Sequence, residues 1–196
     1  RGKWTALSLE AEARLQAYRG DVAAAANAYY ELLKLGILTR GQFRDGEDKK
    51  DFARLRVEAR LALADIELER HNTEAAREVL SPILDDEDGR VEAAYKVALS
   101  YLVEEDSAGI AETAFASYLE RFPGTAWAAD AIDGLARALW RQEKYAQAAA
   151  QFERLIEAYP MYREIDRVRL SAGDTARASG DAARAVRHYR ILFEGG

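Results

Sequence analysis

A chain of 196 residues that is 49% hydrophobic and 32% charged, with only 3 Pro, has the make-up of a folded, helix-rich protein and not of a disordered one. It has no Cys, which excludes disulfides, thiol nucleophiles and cysteine metal sites, and its longest uncharged run, Val22 to Tyr30, is nine residues against the roughly 18 that suggest a membrane span. The net charge of -6 is uneven: residues 71–120 hold 12 acidic against three basic side chains, so the remainder carries about +3, and an acidic middle argues against nucleic acid as a partner.

In chain order, the first predicted helix is TALSLEAEARLQAY, ending at Tyr18, and the turn after it is Gly20-Asp21. Glycine permits the positive backbone angle that ends a helix, and aspartate caps the next one. The second helix carries Ala25, Tyr29 and Leu32 at steps of four and three, which places them on one face. The segment 36–50, GILTRGQFRDGEDKK, is glycine- and charge-rich and predicts a loop, followed by an extended helix from about Glu47 to Arg70. The polar turn His71-Asn72 leads to a helix with Ala76, Leu80 and Ile83. Pro82 falls inside it, where proline costs about 3 kcal/mol, so that helix is expected to kink or stop near Ser81.

The run Asp85, Asp86, Glu87, Asp88, Gly89 fails a calcium-loop template, because position one would be Leu84 and position twelve Tyr95; it reads as a solvated loop. A third hairpin then turns at Asp106-Ser107 and carries Ala111, Phe115 and Tyr118 up to Pro123. A fourth turns at Glu143-Lys144, with Ala148, Phe152 and Leu155, and is closed by Pro160. The fifth turns at Gly180-Asp181, with Ala185, Tyr189 and Leu192.

The five marker alanines are 51, 35, 37 and 37 residues apart, and the longest interval holds the 36–50 insertion. The last three intervals lie near the roughly 34-residue period of the tetratricopeptide repeat. Residues 125–160, TAWAADAIDGLARALWRQEKYAQAAAQFERLIEAYP, resemble one complete repeat of that family: Leu135 and Ala136 where the first helix packs, Tyr145 at the turn, Ala148 and Phe152 in the second helix, Pro160 at its end. The phrases SYLERFPGTAWAADA and LIEAYP are further similar to bacterial envelope members of the family, of the Tol-Pal coordinating periplasmic and outer-membrane assembly lipoprotein types. The resemblance implies an all-α fold, an α-solenoid of about five TPR-like hairpins in a right-handed superhelix, with repeats at about 4–35, 51–86, 90–123, 125–160 and 162–194 as one domain. It also implies a periplasmic or outer-membrane-associated setting. A start at Arg1 and a last helix exposing Phe193 predict that the segment belongs to a longer chain or that a partner covers its end.

No glycine-rich phosphate loop, HExxH or serine elbow is present, and His71 and His188 lie in different repeats without convergent partners, so the sequence predicts no enzyme, no cofactor and no metal site. Both histidines read as surface residues. What remains is recognition of a protein or peptide by the groove-facing side of the first helices. Alignment of those helices nominates Tyr95, Leu99 and Leu102 in repeat three, then Asp130, Asp133, Arg137, Trp140 and Arg141 in repeat four, and Arg167, Leu170, Asp174 and Arg177 in repeat five. Two bland alternatives stay open. Asp133, Arg137 and Arg141, at four-residue steps, could form only surface ion pairs worth a few tenths of a kcal/mol, and Trp140 could be buried between helices. The expected function is a non-catalytic interaction scaffold, with a permanently embedded subunit of a large assembly or a regulatory domain of a larger enzyme or secretion protein as rivals.

Overall fold

The computed structural model describes residues 2–38 and 46–194, with side chains over 4–35 and 49–194. Among them are ten α-helices and no strand: α1 Gly2–Tyr18, α2 Val22–Leu38, α3 Gly46–Glu69, α4 Thr73–Leu80, α5 Arg90–Val103, α6 Ala108–Arg121, α7 Ala128–Arg141, α8 Tyr145–Ala158, α9 Ile165–Ala178 and α10 Ala182–Glu194. The expected all-α, helix-hairpin fold is what the chain adopts. It divides into two compact units, Arg1–Val97 and Ala98–Gly196.

The reason for the recurring alanine is visible in the backbone. Ala25, Ala76, Ala111, Ala148 and Ala185 each donate their N–H to the residue four places earlier, Asp21, Asn72, Ser107, Lys144 and Asp181, which is the first hydrogen bond of each second helix. All five are essentially without solvent exposure, because a neighbouring helix lies against that first turn. The large residue four places on is buried in four repeats, with Phe115 and Phe152 among the largest fully buried side chains, each worth roughly 2–3 kcal/mol. In the fifth repeat Tyr189 is only half-buried, lying over Gly173 with its hydroxyl on Asp174.

Four of the hairpin turns share one geometry. Asp21, Asn72, Lys144 and Asp181 donate back five residues to Gln16, Glu67, Leu139 and Ala176, and the preceding residue donates back three, the double bond that closes a Schellman turn. The residue before the cap then needs a positive φ, found at Gly20 (79°), His71 (59°), Glu143 (58°) and Gly180 (85°). Asp21 and Asp181 cap as expected, accepting from the N–H groups of Ala24 and Arg184.

Proline sets the far ends. The residue before a proline is pushed out of the helical region, and Phe122 and Tyr159 accordingly end α6 and α8 at φ/ψ of -130°/54° and -133°/63°. Pro82 ends α4 at Leu80 and sits in a 3-10 turn, Ser81–Ile83. The predicted 36–50 loop is narrower than expected: α2 continues to Leu38 and α3 begins at Gly46, while the 39–45 part of that reading lies outside the described residues.

In the first unit the core joins Ala13 of α1, Tyr29, Leu32 and Leu33 of α2, Leu63 and Ile66 of α3 and Val79 of α4. In the second, α7, α8 and α9 share Ile132, Ala136, Phe152, Leu155, Val168 and Ala172. Gly134 of α7 is required by close approach, since a Cβ there would fall 2.3 Å from the Phe115 ring of α6.

Candidate functional site

Helices α7 and α9, the first helices of two successive hairpins, present a cavity of about 350 Å³ lined by Arg137, Trp140, Arg141, Phe152, Arg167, Ser171, Asp174 and Thr175. Five of the sequence-nominated groove residues therefore meet in one place. Ser171 and Thr175 were missed, although their steps of four and eight from Arg167 put them on its face.

Trp140 is 49% exposed, its ring edge-on to Tyr145 at 6.5 Å between centroids, so the alternative of burial between helices does not hold. The position follows Leu139, the last buried residue of α7, and Tyr145 at the start of α8 meets its ring edge-on.

The surface ion-pair ladder is also corrected. Asp133 is buried, and its Oδ2 accepts from Arg167 Nη2 of α9 at 2.9 Å while Arg137 lies 3.8 Å away. Its Oδ1 has no hydrogen-bond partner among the described residues. Burial raises the pKa of Asp133 from its ordinary value, against the opposing pull of Arg167. Arg141 turns away from this carboxylate and donates to the main-chain carbonyl of Leu102, with the carbonyl of Glu104 at 3.4 Å.

Asp130 is likewise buried, accepting from Tyr162 Oη at 2.8 Å and Arg163 Nη2 at 2.6 Å. Those two partners come from the connection after Pro160, which sequence spacing did not single out. Burial and then the Asp130 carboxylate raise the Tyr162 pKa, so its phenol stays a donor. Asp174 accepts from Tyr189 Oη at 2.8 Å, and Arg177 is exposed. On α5, Tyr95 and Leu99 are half-buried and Leu102 is buried; Leu99 and Leu102 do not line the cavity. Leu170 is exposed at 48%.

His71 is exposed as expected, but His188 is buried, with Nε2 3.4 Å from Glu153 of α8. It lies three residues after Ala185 and so faces α8. Among the described residues no group of His, Asp or Glu is arranged to hold a metal ion, and no helix is long and apolar enough to cross a membrane.

Crystal structures of MamA have a similar fold. One matches with a TM-score of 0.70 at 19% identity over 97% of this chain and 91% of that one. Another, MamA 41-end from Desulfovibrio magneticus RS-1, matches with a TM-score of 0.72 at 15% identity over 97% and 94%. No curated protein matches the chain. Residues 87–190 match the family model YfiO, described as outer membrane lipoprotein, a span that takes in the whole α7–α9 cavity and more than half of the sequence, and the chain belongs to that family.

Proposed function

We propose that the chain is a non-catalytic interaction scaffold that holds a peptide or protein segment against the first-helix side of its repeats, within a bacterial envelope complex. The five hairpins at 4–35, 51–86, 90–123, 125–160 and 162–194 are its repeats. The observation that carries this reading is the cavity between α7 and α9, where an exposed indole, three arginines and Asp174 converge from two consecutive repeats. Fixed side chains on rigid helices are the form that peptide recognition takes on repeat proteins. Family membership supports the envelope setting.

The test is a pull-down from native membranes, read by mass spectrometry, with the wild-type chain and with a Trp140→Ala, Arg137→Glu variant whose circular dichroism is unchanged. Specific partners are expected to be lost with the variant. Retention of every partner would remove the cavity from the function.

A second reading, a subunit embedded in an assembly through its outer faces, is favoured by α1. Trp4 and Tyr18 are 76% and 91% exposed, and together with Leu7 and Leu15 they lie on one face of that helix at steps of three, eight and three. Partners that survive the cavity variant but are lost on Trp4→Ser, Tyr18→Ser would select it.

A further inference from the structure

We infer that the α7–α9 cavity selects segments bearing side-chain carboxylates beside an apolar residue: a glutamate or aspartate bridging Arg137 and Arg141, with its neighbour on the Trp140 ring. This rests on the interaction-scaffold reading and adds the chemistry of the ligand.

The charges around the cavity are unequally compensated. Arg167 is answered twice, by Asp133 at 2.9 Å and by Glu164 at 2.5 Å. Among the described residues the one acidic partner of Arg137 is the same Asp133 oxygen, at 3.8 Å, and that oxygen already serves Arg167. Arg141 is bonded to main-chain carbonyls, which hold the guanidinium in place without neutralising it. The acid on the opposite wall, Asp174, accepts a hydrogen bond from Tyr189, which likewise holds it without neutralising it, so an incoming carboxylate is directed away from that wall and toward α7.

Arg137 and Arg141 are one helical turn apart, a spacing that brings side chains together on one face. Two guanidinium groups so placed offer several donors to a single carboxylate in the fork geometry that arginine favours. Trp140, between them in sequence and half exposed, supplies the flat apolar surface on which an adjacent side chain rests. A basic segment would meet both arginines, and a purely apolar one would leave them desolvated and unpaired, which is a strong penalty.

The experiment uses three sets of short peptides with amidated C-termini, identical except that the charged positions are Glu, Gln or Lys, with Leu or Phe between them. Binding is followed by tryptophan emission, with Trp140→Phe as the variant that separates the Trp140 signal from those of Trp4 and Trp127. The Glu set is expected to bind at least about tenfold more tightly than the Gln set, to weaken as salt rises, and to lose that advantage in Arg137→Glu. The same variant should gain affinity for the Lys set. Arg137→Gln serves if the charge reversal disturbs folding.

Equal binding of Glu and Gln sets, or a Glu preference that survives Arg137→Gln, overturns the inference. If peptides bind through Trp140 without regard to charge, the cavity remains a docking site and only the acidic preference fails. If binding needs a free C-terminus, the side-chain source is wrong.

Discussion

The two units hold their first helices together with the same device in opposite polarity. In the first, Lys96 of α5 is the buried charge, its side chain 4% exposed, and it pairs with the more exposed Asp65 of α3 and with Glu92 one turn away at 3.1 Å. In the second, Asp133 of α7 is the buried charge and the more exposed Arg167 of α9 reaches in to it. The difference lies in how completely each is satisfied. Among the described residues Lys96 meets two carboxylates, whereas Asp133 shares one oxygen between two arginines and leaves the other without a donor. The incompletely paired carboxylate is the one that holds Arg167, a lining residue of the cavity.

Removing the outer partner should break that comparison most visibly. Arg167→Ala strands Asp133 with Arg137 alone and is expected to cost about 3 kcal/mol in urea unfolding, while Asp65→Ala leaves Lys96 its glutamate and should cost about 1 kcal/mol. Equal losses would mean that the two joints are equivalent.

Packing gives the next largest effect. Gly134→Ala improves helix propensity, yet its methyl would press on the Phe115 ring at 2.3 Å, so a net loss of about 2 kcal/mol is expected by thermal unfolding. A stabilised variant would show that α6 and α7 can separate freely.

The turns compare the units more gently. His71 in the first and Glu143 in the second occupy the positive-φ position that Gly20 and Gly180 occupy elsewhere. His71→Gly and Glu143→Gly should each raise stability by about 1 kcal/mol, since glycine carries no left-handed penalty. Gly20→Ala and Gly180→Ala should lower it by a similar amount.

The smallest expected effect is a pH dependence of opposite sign at two carboxylates of the second unit. Asp133 has a raised folded pKa, so the folded state binds the extra proton. Its contribution is full below the unfolded value near pH 4 and declines as pH rises through the raised one. Glu112, lowered chiefly by its bond from Lys144, contributes above its unfolded value near pH 4 and loses that as pH falls through the lower folded one. Unfolding curves between pH 3 and 7 should therefore favour Asp133→Asn over wild type increasingly with pH and disfavour Glu112→Gln over the same range.

Local rules determined much of the chain. The marker alanines, the glycine-aspartate turns and the three prolines located hairpins because a first-turn hydrogen bond, a left-handed residue and a missing N–H depend on near neighbours in sequence. The same spacing nominated Arg137, Trp140, Arg141, Arg167 and Asp174, which the fold gathers at one cavity. It could not tell that Asp130 and Asp133 lie inward while Arg137 and Trp140 stay exposed, because all four share a helix face within one wide arc. Which part of that arc is covered depends on how α9 and the Tyr162-Arg163 connection pack across α7. Nor could it foresee that His188 is buried against α8 or that Arg141 bonds the carbonyl of Leu102, 39 residues away. Burial and pairing at such distances are properties of the packed helices, since the groups that desolvate or neutralise a side chain arrive only when the next repeat is in place.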